Sequence, residues 1–152
     1  LRARETASIL SSRLAAPLEI DPAWKERHLG NAQGTSVESF LEASRSAPPR
    51  PPFSPAYEDG EGTWALYVRA AAAVQQLVRR PPARYLIVSH GGILNAARRA
   101  IFGLAPTPGS PLRIALGNCG YAGGSRQADG AWTCHTRCNP SGGPAPNAES
   151  DR

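Results

Sequence analysis

The sequence predicts an α/β fold with a mostly parallel sheet, and two observations lead to this prediction. Helix-like and strand-like patterns alternate along the chain, which is typical of helices packed on a parallel sheet. The apolar run at residues 85–89 has the character of a strand that is buried on both faces. The 152 residues suffice for one domain with a core, predicted over residues 1–139, and the Gly- and Pro-rich tail at 140–152 is predicted to be disordered.

Three helices are predicted from the spacing of apolar residues. The first covers residues 2–15, where apolar side chains recur every three or four positions and form one stripe. This stripe consists of Ala3, Ala7, Leu10 and Leu14. The second covers residues 63–80, with Thr63 as its predicted N-cap and two prolines after its end. The third runs from Gly92 to about Phe102, and Gly103 follows as a helix-ending glycine.

Strands are predicted between and after these helices. The strand at 85–89 leads directly into the third helix, and two more are predicted at 112–116 and 131–136, joined through Tyr121 and a glycine-rich turn at 123–130. Ligands of parallel α/β sheets bind at the carboxyl ends of the strands. His90 falls at that edge, so the sequence directs attention to it.

Composition narrows the classes of function. The net charge is +5, from 17 Lys and Arg against 12 Asp and Glu, and Lys25 is the one lysine. The preference for Arg reflects either codon composition or phosphate binding, where a guanidinium fork suits oxyanions. The cations are scattered instead of forming a basic stripe, which disfavours nucleic acid as a partner. No apolar run approaches the roughly 20 residues of a membrane span, so a membrane partner is not expected.

The three cysteines predict free thiols and not a disulfide framework. Their odd number indicates a reducing compartment, and the cytoplasm is the predicted location. The alternative is a zinc site at Cys134, His135 and Cys138. That group supplies at most three ligands in a spacing that is not diagnostic, so we expect no bound metal.

The segment SHGG, residues 89–92, is the strongest local indication of a binding site. A strand that turns through glycines into a helix brings backbone N–H groups together with the positive end of the helix dipole. Gly91 and Gly92 let an anion approach the backbone closely, and a protonated His90 adds two donors. The alternative is a histidine that is hydrogen-bonded within the turn. The Gly-Lys pair of a P-loop is absent from the sequence, and Ser89 does not lie in a G-x-S-x-G elbow.

Four segments match, in order, the motifs of one family. They are RARETA at 2–7, resembling an R-A-x-x-T-A helix; ERHLGNAQG at 26–34, resembling E-R-H-Y-G-x-x-Q-G; SHGG at 89–92, resembling a second-histidine motif; and IALGNCGYA at 114–122, resembling a late strand with Asn-Cys or Asn-Gly. On these motifs the chain resembles the histidine phosphatase superfamily, or phosphoglycerate mutase-like family, over about residues 1–139. The resemblance implies a three-layer α/β/α sandwich.

The resemblance also implies phosphoryl transfer through a phosphohistidine on a phosphorylated small molecule, without a cofactor. In the family a first histidine attacks phosphorus, a carboxylic acid protonates the leaving oxygen, and arginines and a second histidine hold the phosphoryl oxygens. By position, Glu26 is implied as the general acid, His90 as the second histidine, and Arg2 and Arg27 as substrate contacts. The alternatives are a solvated helix charge for Arg2, and for Glu26 a loop carboxylate paired with Lys25 or Arg27.

The chain departs from the family pattern in ways that bear on activity. The nucleophile motif Arg-His-Gly is absent, and the sequence begins at Leu1 and contains no Met, so we expect a truncated chain that lacks the nucleophile and the first strand. Leu29 stands where the mutases have Tyr, which favours a phosphatase over a phosphoglycerate mutase. His28 is expected to support its loop. The remaining alternative is an inactive phosphate-binding module.

Overall fold

The described residues of the computed structural model are 1–36, 38–39, 42, 51, 53–55, 57–107 and 119–138, and the side chains of 135–138 are not part of the description. The predicted strand at 112–116 and the predicted tail at 140–152 lie outside these residues. The chain divides into two compact units, Leu1–Gly109 and Ser110–Arg152. Among the described helices, none has the length and apolar character needed to cross a membrane.

The first helix, α1, spans Arg2–Leu14 and confirms the predicted helix at the N-terminus. It ends where Ala15 adopts a left-handed conformation with φ of 49°, two residues before Pro17. None of its residues is buried, and Ile9 and Leu14 are more than half exposed. Among the described residues, the apolar stripe of α1 is therefore only partly covered, with Ala3, Ala7 and Leu10 half-buried and Leu14 exposed.

The core of the first unit lies between two helices, α2 at Thr63–Val78 and α3 at Gly91–Ile101, which pack on each other. The residues buried between them are Leu66, Ala70, Ala73 and Val74 of α2 and Ile93, Ala96 and Ala97 of α3. Most of these side chains are alanine methyl groups, which allow the helix axes to approach closely. Leu66 and Ile93 are the large, fully buried anchors, and each contributes roughly 1.5–3 kcal/mol through removal of apolar surface from water.

The predicted helix ends are close to the observed ones, with one correction. The N-cap of α2 is Gly62, and Thr63 is already helical, so the predicted cap is wrong by one residue. Helix α3 begins at Gly91 and ends before Gly103, whose φ of 65° confirms the predicted stop. Both helices end where the sequence places glycine or proline, because these residues break the hydrogen-bond ladder locally.

The apolar run before α3 differs from its prediction. Residues 85–89 form no strand with any described residue, and Tyr85 is 41% exposed and Leu86 60% exposed. The burial predicted for these two side chains is therefore wrong. An extended run becomes a strand only when its backbone pairs with a neighbour, which a single-segment pattern does not specify. The three-layer sandwich with a parallel sheet stays a prediction.

The second unit contains a β-hairpin of β1, Tyr121–Arg126, and β2, Trp132–Cys138, which pair antiparallel. The predicted strand at 131–136 is confirmed as β2. The predicted turn at 123–130 is wrong for its first half, because residues 121–126 are themselves a strand. The pairing register shifts between Gly123 and Gly124, and glycines within a strand commonly mark such an irregularity. The composition of this strand therefore resembles that of a turn.

Gly30 lies where two loops of the first unit touch. Its φ is 56°, and the amide of Asn31 donates to the carbonyl oxygen of Glu58 at 3.2 Å. A Cβ atom at position 30 would overlap that carbonyl and lie 2.6 Å from the backbone nitrogen of Gly60. Because these are backbone atoms, the neighbouring loop would have to move to accept any side chain.

We expect Gly30→Ala to lower the free energy of unfolding by more than about 2 kcal/mol, since the left-handed conformation alone costs about 1–2 kcal/mol with a Cβ and the overlap adds to it. Urea unfolding measures the loss. Gly34→Ala is the matched control, because Gly34 also has a positive φ, of 89°, but nothing lies within 4 Å of its Cβ position. Equal losses in the two variants would contradict the proposed overlap with the 58–60 loop.

Candidate active site

His90 occupies the N-cap position of α3. Its backbone is extended, with φ of −120° and ψ of 160°, and its carbonyl accepts the first helical hydrogen bond from the amide of Leu94 at 3.1 Å. The side chain is half-buried and makes no hydrogen bond to any described residue. His90 therefore begins the helix with both of its ring nitrogens free of described hydrogen-bond partners and available to a ligand.

Glu26 reaches the same helix end from a distant loop. Its Oε2 accepts a hydrogen bond from the amide of Gly92 at 2.9 Å, and its Oε1 accepts from the amide of Arg27 at 2.7 Å. The Cβ of any larger residue at position 92 would overlap the carboxylate of Glu26. Glycine at this position thus permits the acid to approach the helix end, and the two predicted catalytic residues meet there.

The other predicted contact residues occupy different places. Gly91 is exposed and nothing lies within 4 Å of its Cβ position, so the helix end is open on that side. Arg27 is half-buried next to Glu26, and its guanidinium has no hydrogen bond or ion pair with the described residues. Arg2 is exposed at the start of α1, and the structure does not bring its guanidinium into contact with His90.

His28 contacts the backbone of its own loop and of the neighbouring loop, as expected for a residue that supports the loop. Its Nδ1 lies 3.2 Å from the amide nitrogen of Gly30 and 3.2 Å from the carbonyl oxygen of Asp59. The tautomer decides which of these contacts is a hydrogen bond. In either case, Nδ1 is engaged by the backbone of these loops.

A groove of about 1090 Å³ runs along the first unit beside His90. One wall is the apolar stripe of α1, the four residues Ala3, Ala7, Leu10 and Leu14, and the other includes Leu86, Val88 and His90. Arg4, and not Arg2, is the arginine of the first helical turn that lines this groove. The stripe predicted from spacing thus faces open space next to the candidate site.

No metal site accompanies these residues in the part of the chain that is described. Groups of three or more His, Cys, Asp or Glu side chains in ligating positions do not occur there. Cys134 is exposed and free, and the side chains of His135 and Cys138 are outside the described set. The described groups that the structure brings to the N-terminus of α3 are the carboxylate of Glu26, His90 as the N-cap residue, and the amide of Gly92.

Two residues that the sequence analysis did not single out hold the loop that carries Glu26. Arg69 of α2 forms a bidentate ion pair with Glu61, with Nε–Oε1 and Nη2–Oε2 distances of 2.8 and 2.7 Å. Its Nη1 also donates to the carbonyl oxygens of Ala23 and Lys25. One signal was present in the sequence: Arg69 is the single charged residue in the 16-residue helix.

The environment of Glu61 holds its pKa below the ordinary value of 4.5. The hydrogen bond from Arg69 is the largest cause and burial opposes it, while the charge of Arg69, the backbone of His28 and the charge of Arg27 lower it further. A carboxyl whose folded-state pKa is depressed contributes stability above its unfolded-state pKa. This stability is lost as the pH falls through the folded-state pKa.

We therefore expect Glu61→Gln to lower the free energy of unfolding by about 1–3 kcal/mol near neutral pH, because one partner of a partly buried charged hydrogen bond is removed. The difference from the wild type should shrink as the pH falls through the lowered folded-state pKa of Glu61, where the wild-type carboxyl also becomes neutral. Urea unfolding across the acid range measures this.

The matched control is Glu19→Gln, which removes an equally short ion pair, Glu19–Arg80, at 2.6 Å. Its side chains are 64% and 41% exposed, against 15% and 26% for Glu61 and Arg69. Exposed ion pairs contribute little, so this variant should unfold almost as the wild type does. A pH-independent loss for Glu61→Gln would show that the carboxylate charge is not what stabilises the loop.

Comparisons with known proteins identify the family of the chain. The model of the histidine phosphatase superfamily (branch 1) matches residues 1–139. A glucosyl-3-phosphoglycerate phosphatase of Mycolicibacterium vanbaalenii is 31% identical, over 85% of this chain and 62% of the relative, so the chain spans less than two thirds of that protein. The solved structure of YhfR from Bacillus stearothermophilus superposes with a TM-score of 0.57 at 23% identity, over 88% of this chain and 67% of YhfR, and supports the α/β fold. Together with the four motifs in the sequence, the match over residues 1–139 shows that the chain belongs to the histidine phosphatase superfamily.

Proposed function

We propose that the protein is a phosphomonoester hydrolase that acts through a phosphohistidine intermediate. The observation that carries the proposal is the meeting of His90 and Glu26 at the N-terminus of α3, where Glu26 accepts from the Gly92 amide at 2.9 Å. A phosphoryl group at this end would find backbone amides, the helix dipole and an imidazole on one side. On the other side of the phosphoryl group, the carboxyl group of Glu26 would be within reach of the leaving oxygen.

Each candidate residue has a defined role in the reaction. His90 and the open amide of Gly91 bind phosphoryl oxygens as charge shifts onto them. Arg27 forms no hydrogen bond or ion pair through its guanidinium with the described residues, and it provides a cation in the residue that follows Glu26. Arg2 is proposed as a further phosphate contact on the family pattern alone. Glu26 donates its proton to the alcohol oxygen that leaves, which otherwise departs as a poor alkoxide.

The attacking nitrogen is proposed to belong to a segment other than this chain. Of the two histidine side chains that are described, His28 is engaged by its own loops and His90 is assigned to the phosphate-binding side. The attacking histidine forms a P–N bond while the P–O ester bond breaks, and the leaving oxygen takes the proton of Glu26. Water then attacks phosphorus, the P–N bond breaks, and Glu26 takes up a proton, which releases inorganic phosphate. The groove beside His90 has room for such a segment.

Hydrolysis is favoured over transfer to a second alcohol. Leu29 replaces the tyrosine of the mutase motif, and the matching relative from M. vanbaalenii is a phosphatase. The substrate is therefore proposed to be a phosphorylated small molecule, as that relative's name also indicates. Among the described cysteines, Cys119 and Cys134 are exposed free thiols, which supports the proposed cytoplasmic location.

The test compares the 152-residue chain with the same chain joined to whatever native sequence precedes Leu1. We expect the longer protein to release phosphate from an aryl phosphate in the presence of EDTA, and the shorter chain to bind inorganic phosphate without turnover. Transfer of the phosphoryl group to an added alcohol in preference to water would identify a mutase. If the native protein begins near Leu1 and only binds phosphate, the inactive-module alternative holds and the hydrolase proposal fails.

A further inference from the structure

The chain immediately before Glu26 is held by side chains from two other elements. Nη1 of Arg69 donates to the carbonyl oxygen of Ala23 at 2.7 Å and to that of Lys25 at 2.8 Å. The hydroxyl of Ser89, the residue before His90, donates to the carbonyl oxygen of Trp24 at 2.5 Å. Three consecutive carbonyl groups are thus fixed, and Glu26 follows directly.

The chain after Glu26 is held by the partner of the same arginine. The amide of Glu61 donates to the carbonyl oxygen of His28 at 2.7 Å. The carboxylate of Glu61 accepts hydrogen bonds from Nε and Nη2 of Arg69. The side chain of Arg69 therefore holds the backbone before Glu26, and the backbone amide of its ion-pair partner Glu61 holds the chain after Glu26. No hydrogen bond or ion pair joins Arg69 to the carboxyl group of Glu26, and the negative charge of Glu26 is a minor cause of the raised pKa of Arg69.

We infer that the Arg69–Glu61 pair is a positioning unit that sets where the carboxyl group of Glu26 lies relative to His90. This inference rests on the proposed function for its catalytic meaning. A guanidinium has five donors in a planar fork, so it serves a carboxylate and two carbonyl groups at once, whereas an ammonium group is a point charge that does not reproduce this geometry. The pair is only 26% and 15% exposed, which reduces competition from water.

Positioning matters because a general acid acts only within hydrogen-bond reach of the leaving oxygen. A displacement of about 1 Å at a reacting group costs about a hundredfold in rate. Neither Arg69 nor Glu61 forms a hydrogen bond or ion pair with a described residue of α3, so loss of the pair should reduce kcat and leave KM nearly unchanged. A residue that binds substrate would instead change KM.

The amide of Gly92 gives a direct readout of where Glu26 lies. It belongs to the first turn of α3 and has no intrahelical acceptor, so its hydrogen bond to Glu26 is what protects it from exchange with solvent. In the folded 152-residue chain, Arg69→Lys should speed hydrogen exchange of Gly92 roughly tenfold. Exchange of Leu94, which donates to His90 within the helix, should not change.

Arg79→Lys is the matched control, since Arg79 is exposed at the C-terminal end of α2, the helix that carries Arg69. It should leave both amides as in the wild type. Circular dichroism shows whether Arg69→Lys is folded. If it is not, hydrogen exchange of Gly92 is measured in Glu61→Gln instead, because glutamine retains the size of the side chain and one acceptor oxygen. This variant should also speed the exchange of Gly92. Unchanged Gly92 exchange in a folded Arg69→Lys or Glu61→Gln variant overturns the inference.

The kinetic arm separates this inference from the proposed function. In the active, longer protein, Arg69→Lys should lower kcat for an alkyl phosphate about ten- to a hundredfold, lower it less for a nitrophenyl phosphate, and leave KM within about twofold. An equal fall on both substrates, or a rise in KM alone, contradicts positioning of an acid. If neither the longer protein nor its variants hydrolyse a phosphate ester, but hydrogen exchange of Gly92 responds as expected, the proposed function fails and the positioning of Glu26 stands.

Discussion

Replacement of His90 by alanine should lower kcat/KM for an aryl phosphate by roughly a factor of a hundred to a thousand in the protein that carries the nucleophile. The imidazole stands at the N-cap of α3 and has no hydrogen bond to the described residues, so its donors are free for phosphoryl oxygens. Removing one preorganised donor from such a site costs about 3–4 kcal/mol of transition-state stabilisation. Inhibition by inorganic phosphate should weaken as well, because the product carries the same oxygens.

His28→Asn provides the control for removing a histidine near the site. The Nδ1 atom of His28 lies within hydrogen-bond distance of Gly30 and Asp59, and an asparagine amide can satisfy the same backbone groups. Its effect on kcat/KM should stay below about tenfold. Undiminished activity of His90→Ala, or a larger loss in His28→Asn, would remove His90 from the role assigned to it.

The parts of the structure that could be predicted from sequence are those determined within one segment. The ends of α1, α2 and α3 agree with the prediction to within about two residues, because periodic apolar spacing and helix-breaking Pro and Gly are local signals. The position of His90 is also predicted by signals within one segment. A run of apolar residues, two glycines and a helical pattern place it at a helix N-terminus whatever surrounds it.

The features that could not be predicted depend on residues far apart in the chain. Arg69 lies 46 and 44 positions from the carbonyl groups of Ala23 and Lys25 that it binds. Nothing in the pattern of either segment specifies that meeting, although a single charge in a long neutral helix is a usable sign. The same reason explains the exposure of Leu86, since burial of an apolar run depends on a partner element.

The hairpin shows a different limit. Tyr121–Arg126 contains two adjacent glycines, which weaken any strand signal and favour the prediction of a turn. In the structure these glycines coincide with a shift of register, so they belong to the strand instead of ending it. Local composition alone does not distinguish a strand irregularity from a turn, because both require a backbone with few steric restraints.

Glu26→Gln should have an effect that depends strongly on the leaving group. We expect kcat/KM for an alkyl phosphate to fall by about a factor of a thousand, and that for a nitrophenyl phosphate by less than about tenfold. Glutamine keeps the size of the side chain and one oxygen that can accept from the Gly92 amide, while its NH2 group cannot accept from the Arg27 amide as Oε1 does. The contact with α3 can thus be kept while the proton is lost. An alkoxide needs that proton to leave, whereas a nitrophenolate does not.

Glu58→Gln is the control for the loss of a negative charge near the site, because Glu58 is an exposed residue of the loop that touches Gly30. It should leave the ratio of the two substrates' kcat/KM values unchanged. Equal losses on both substrates in Glu26→Gln would mean that the carboxylate acts through its charge or its contact with α3. A loss confined to alkyl phosphates, together with protection of the Gly92 amide as in the wild type, would isolate proton donation as its role.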